Sequence, residues 1–158
     1  DHHSKERSDL MMRGYVQLAL GLAALLYLVW AITFLVAPET AHQMVNTGPY
    51  NPGMAGMFAA ALFGLGAMLL IASAEPEPGI VAGSAAALAV VAVVAGYQML
   101  IAKYMPQATW TVISLLLNTA AAAYLFVMQA QAAQESAGTP ARGGRARPKA
   151  APAKKRRR

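Results

Sequence analysis

The sequence predicts an all-α integral membrane protein: an antiparallel four-transmembrane-helix bundle with a disordered basic C-terminal tail. Three observations carry that expectation. Four apolar stretches, residues 14–36, 54–73, 80–102 and 108–128, each approach the ~20 residues an α-helix needs to cross a bilayer. None has Asp, Glu, Lys, Arg or His in its interior. The 158 residues are 57% hydrophobic and 13% charged, with a mean hydropathy of +0.41, and a soluble domain of this length has no core that could hide four such stretches.

Residues 1–13 read as a polar cytoplasmic N-terminus with three acidic and three basic side chains. Ser8 or Asp9 is placed to cap a helix entering the membrane at Gly14–Tyr15, with Arg13 snorkelling to the headgroups. The first apolar run outlasts a signal-peptide core of ~7–15 residues, and Pro38 stands where a cleavage site is wanted, so a retained helix is expected. Pro38 ends it, because proline restricts the residue before it and cannot continue the ladder.

PETAHQMVN then suits a short interfacial helix starting at Pro38, and TGPYNPG is turn chemistry. Asn51-Pro52 offers the second span a cap and a first-turn proline. AEPEPG forms a tight hairpin in which Pro78 starts the third span, and Met105-Pro106 separates the third span from the fourth. Links this short predict that consecutive helices are antiparallel neighbours in a single bundle over residues 14–130.

The charge is concentrated at one end. Nine of the thirteen Lys and Arg lie at or beyond Arg142, so the bundle is nearly neutral although the chain carries +6. Residues 131–158 are Pro/Ala/Gly-rich and basic, a composition that cannot bury a core. Lys154, Lys155, Arg156, Arg157 and Arg158 look like a nucleic-acid patch, but beside a membrane they suit anionic phospholipid, at ~1 kcal/mol per basic residue near the surface. No specific nucleic acid is expected as a partner. Four spans put both termini on one side, and the Lys/Arg excess assigns that side to the cytoplasm. Tyr50, Tyr104 and Trp110 then fit an outer aromatic belt, and Tyr15 and Tyr124 an inner one.

The candidate functional residues are few. Gly56, Ala60 and Gly64 share one stripe of the second span, and Gly79, Gly83 and Ala87 one of the third. Small residues let helix backbones approach closely in lipid. The stripes serve either packing inside the bundle or contact with a partner, and Gly66 and Ala67 extend the small face of the second span. Asn118, flanked by Ser114 and Thr119, lies mid-membrane in the fourth span, and Gln98 and Gln17 lie nearer helix ends. Glue between helices is the expected role, and a polar spot for a lipid headgroup or small solute the alternative.

Glu39 and His42 share a helix face, but two ligands are too few for a metal site, so a solvated loop pair is expected. With no Cys, no His within a span and no intramembrane charge, the inventory excludes thiolate chemistry, haem held between spans and an ion relay. No catalytic constellation, cofactor or metal is expected. Glu75 and Glu77 read as hairpin polarity.

Two resemblances follow from these residues. FLVAPE at the end of the first span and FAAALFGLGAMLLIAS in the second resemble the DoxX-like class of small four-helix bacterial membrane proteins. That resemblance implies a membrane redox or quinone-associated role. SDLMMRGYVQLALGLAALLYLVW and KAAPAKKRRR are similar in style to actinobacterial, mycobacterial-type membrane proteins, among them a four-helix accessory subunit of the Mce lipid-import complex. This second resemblance implies a non-catalytic stabilising subunit seated beside permease-type helices. A small-solute permeation protein is a further alternative.

Overall fold

The computed structural model describes residues 2–138; the tail from 139 onward, with Lys154, Lys155, Arg156, Arg157 and Arg158 and the expected disorder, lies outside the described residues. Within them the chain is all-helical: α1 (His2–Val36), α2 (Pro38–Val45), α3 (Pro52–Ala74), α4 (Pro78–Leu100) and α5 (Thr109–Gly138). Four of these, α1, α3, α4 and α5, are long and apolar enough to cross a membrane. The bundle itself buries between 22% and 33% of each apolar window. What remains outside is apolar too, including Leu25, Val29, Ile32, Leu70 and Val93. Hydrocarbon, not water, is the solvent for such faces.

Several boundaries follow the sequence signals. Ala37 breaks α1, and Pro38 opens α2 as its first residue. Asn51 caps α3, its Oδ1 accepting from the amides of Gly53 (2.9 Å) and Met54 (3.2 Å). Pro78 opens α4 after the Glu75–Glu77 link. At the end of α4, Lys103 takes a left-handed φ of 56°, and the amides of Tyr104 and Met105 turn back to the Gln98 carbonyl.

Three expectations are corrected. The first helix does not start at Gly14 with a Ser8 or Asp9 cap: α1 runs unbroken from His2. No Gly or Pro interrupts residues 2–13, and extending an existing helix is far easier than nucleating one. For the same reason the Gln/Ala-rich run after Met128 stays helical to Gly138, so residues 131–138 belong to α5 rather than to an unstructured tail. Finally, α3 and α4 are joined by three residues yet barely touch. The packing order is α3, α1, α5, α4, with α1 most intimate with α3 and α4 most intimate with α5.

Gly66 explains the first of those pairings. A Cβ built there would stand 2.8 Å from Leu28 Cγ and 3.2 Å from the Leu28 amide nitrogen, so α1 and α3 meet nearly backbone to backbone. Around the crossing, Leu20, Ala24, Leu69, Leu88 and Leu125 make a fully buried core from all four long helices. A second cluster of Phe34, Ala41, Ala55 and Ala59 seats α2 over the end of the bundle. There Phe34 and Phe58 meet edge to face at 5.1 Å.

That end is laced by hydrogen bonds. The Thr47 amide and hydroxyl both donate to the Tyr104 carbonyl (2.8 and 3.1 Å), tying the two loops on this side. Thr111 Oγ1 donates to the Met44 carbonyl (2.9 Å). His42 is buried, with Nε2 3.1 Å from the Gly48 carbonyl and its ring against Tyr50. His42 is therefore a structural staple of α2, not half of a solvated pair with Glu39. Its ring is apolar enough to pack, and one nitrogen finds its partner six residues on.

The crossing makes a stability prediction. Gly66→Val must push Leu28 aside and is expected to cost about 1–3 kcal/mol in denaturant titrations of the detergent-solubilised protein. Gly64→Val, on the open side of the same helix where nothing lies within 4 Å, is expected to change stability by less than about 0.5 kcal/mol. Equal stability of the two variants would contradict the close crossing.

Candidate functional site

Two features stand out: a polar knot inside the bundle, and an open cleft at the end where α1 begins and α5 ends. The knot begins with Asn118, buried on α5. Its Nδ2 donates to the Leu88 carbonyl of α4 (2.7 Å), and its Oδ1 accepts from the Tyr27 hydroxyl of α1. One turn away, Trp30 Nε1 donates to Ser114 Oγ (2.9 Å). Tyr27 and Trp30 are three apart on α1, and Ser114 and Asn118 four apart on α5, so each pair shares a helix face. The two faces zip together, and Asn118 carries the connection on to α4.

The expected polar residues thus divide. Ser114 and Asn118 come together, whereas Thr119 faces outward and returns its hydroxyl to the Leu115 carbonyl of its own helix (2.8 Å). Gln98 is half-buried near the end of α4, away from the knot, and its carbonyl closes the α4 turn. The aromatic half, Tyr27 and Trp30, was not singled out in the sequence. A signal existed: a buried Tyr or Trp needs a partner for its polar tip, and two such residues one turn apart mid-span call for two acceptors.

Beside the knot lies a cavity of about 100 Å³, where Phe58 and Leu62 of α3 face Val91 and Ala95 of α4 across the gap between those helices. This volume is smaller than the about 150 Å³ cavity that holds benzene in a protein core. Ser84, buried on the packed face of α4, has no hydrogen-bond partner. Among the described residues no group of three or more His, Cys, Asp or Glu is placed to hold a metal ion.

The small-residue stripes lie where internal packing does not reach. Gly56, Ala60 and Gly64 are exposed on the outer face of α3, and Gly79 and Gly83 are exposed on α4. No atom of the bundle stands within 4 Å of a Cβ built on any of the four glycines. Gly66 does not widen the α3 stripe as expected. It points the other way, into α1, because two residues along a helix turn the side chain through about 200°.

The second feature is a cleft of about 860 Å³ at the end where α1 begins and α5 ends. The α3–α4 link and the first turns of α4 line it from below, and α1 and α5 from the sides. Gln17 Nε2 of α1 donates to the Ala74 carbonyl (3.3 Å) and Gln129 Nε2 of α5 to the Pro78 carbonyl (3.2 Å), so each end of the link is pinned.

Two outcomes are expected of the polar groups inside the bundle. In a double-mutant cycle, Tyr27→Phe and Asn118→Leu couple by about 0.5–2 kcal/mol in unfolding titrations, the range for hydrogen bonds between helices in lipid. Additive effects would mean the bond contributes nothing. Ser84→Ala removes an unpaired buried hydroxyl and raises stability by up to about 1–2 kcal/mol.

No protein-family model, no curated protein and no solved structure matches this chain.

Proposed function

We propose that this chain is a non-catalytic accessory subunit of a larger membrane assembly, docked through the outer face of α3. The observation that carries the reading is the exposed stripe of Gly56, Ala60 and Gly64, a helix surface on which neither bundle nor own side chains occupy the space. Close backbone approach is the main source of affinity between helices in lipid, and this face permits it. Gly79 and Gly83 on α4 offer a lesser surface of the same kind. The partner is a permease-type helix, and a lipid importer of the Mce kind is the assembly in view. The setting is a bacterial inner membrane with both termini in the cytoplasm, and the basic tail rests on anionic phospholipid.

The polar interior supports the same reading from the other side. Asn118 spends its amide on Tyr27 and Leu88, and Ser114 is engaged by Trp30, so these groups serve cohesion rather than a solute path.

The test is co-purification of the full chain at native expression in mild detergent, with mass spectrometry of what accompanies it. Other integral membrane polypeptides are expected in stoichiometric amount. Recovery of only a monomer or a homo-oligomer would overturn the proposal. Gly56→Leu with Gly64→Leu is expected to lower partner recovery about tenfold, a loss of about 1.4 kcal/mol, with unchanged thermal stability of the isolated chain.

A further inference from the structure

The cleft at the end where α1 begins and α5 ends combines a cation, two carboxylates and an apolar wall. It sits where α3 ends and α4 begins, at the limit of two spans of 23 residues. Each is about 35 Å long, slightly more than the hydrocarbon core, so the Glu75–Glu77 link lies at headgroup level. The neighbouring helices do not stop there. α1 has 35 residues and α5 has 30, and both run on past the link toward the termini. The cleft is the space between these two projecting helices, roofless above the link.

Its walls are of three kinds. Val16, Val81 and Met128 are apolar and lie on the membrane side. Arg13 brings a guanidinium from α1, and Glu75 and Glu77 bring carboxylates from the link. The cation and the anions therefore reach the same space from different elements. Gln17 and Gln129 pin the link, so the carboxylates stand on a held floor rather than on a free loop. The volume, about 860 Å³, falls within the about 300–1,000 Å³ range of small-molecule sites and exceeds the other cavity severalfold.

We propose that this cleft binds a zwitterionic phospholipid whose headgroup carries a primary ammonium, of the phosphoethanolamine class. Its phosphate answers Arg13, its ammonium answers Glu75 and Glu77, and the first methylenes of its chains lie along Val16, Val81 and Met128. Charge complementarity selects this occupant. A singly anionic headgroup satisfies Arg13 but meets two carboxylates with nothing to offer them. A quaternary ammonium carries the right charge but has no N–H to donate to a carboxylate. A soluble cation leaves Arg13 and the apolar wall unused.

The experiment is native mass spectrometry of the full chain released from vesicles containing equal parts phosphatidylethanolamine, phosphatidylcholine and phosphatidylglycerol. Phosphatidylethanolamine is expected to be retained about fivefold over phosphatidylcholine, a difference of about 1 kcal/mol. Glu75→Gln with Glu77→Gln is expected to bring that ratio to within about twofold while retained phosphatidylglycerol rises, and Arg13→Gln to lower retention of both zwitterionic lipids. Both sets of positions are exposed, and circular dichroism checks that helix content is unaltered. The proposal fails if the ethanolamine preference survives the double substitution, if phosphatidylglycerol falls in parallel, or if soluble glycerophosphoethanolamine displaces the lipid at equal concentration. This outcome is independent of co-purification, since the cleft and the α3 stripe share no residue.

Discussion

Hydrocarbon offers no partner to a polar group, and most of this structure is arranged around that constraint. Mid-membrane, the response is Asn118. Its one amide joins three helices, taking the Tyr27 hydroxyl from α1 and giving to the Leu88 carbonyl of α4. Trp30 and Ser114 repeat the solution one turn away. Each bond contributes modestly, on the order of 1 kcal/mol. Breaking one is another matter, because the partner is left in a medium that cannot replace it. The knot thus acts less as a source of net stability than as a register: only one rotation of α1, α4 and α5 satisfies every member.

α3 is held by different means. Its mid-membrane contact with the rest of the bundle is steric, through Gly66 against Leu28, and its hydrogen bond to α1 lies at the end of the span, at the Ala74 carbonyl. This division explains a topology that short links alone do not predict. α4 follows the polar knot to α5, α3 follows its glycine to α1, and the two are drawn to opposite sides despite a three-residue connection. A gap is left between them, and Phe58, Leu62, Val91 and Ala95 line it.

The fold class was legible because it rests on cheap, redundant signals: stretch length, absence of charge, and proline at three helix starts. Asn51 and the short helix after Pro38 were legible for the same reason, since caps and first-turn prolines act within a few residues. Pairing was not, because it depends on which face of each helix finds a match. Gly66 and Gly64 are indistinguishable as letters, yet one is packed against a backbone and the other faces open space. Asn118 was visible as a polar residue needing a partner, but Tyr27 lies 91 positions away and reads as one more apolar aromatic. His42 misled for the opposite reason. Its local neighbourhood is polar, and only the packing of α2 over Phe34 and Ala55 brings it out of water.

The two ends of the bundle are built to different ends. On the side of α2, the Thr47–Tyr104 and Thr111–Met44 bonds and the His42 staple tie both loops to the helices. At the other end, α1 and α5 overrun their neighbours and flank a pinned link. Closing that side required nothing more than a longer link or shorter outer helices. The chain does the reverse: it extends both outer helices, with no Gly or Pro in residues 2–13, and fixes a Glu-Pro-Glu link between them with two glutamines. Where helix ends meet water and headgroups, polar groups need no protein partner, so a charged open cleft costs little there. A bundle under the hydrocarbon constraint can hold charges apart only at its two ends, and at one of them Arg13, Glu75 and Glu77 line the same cleft.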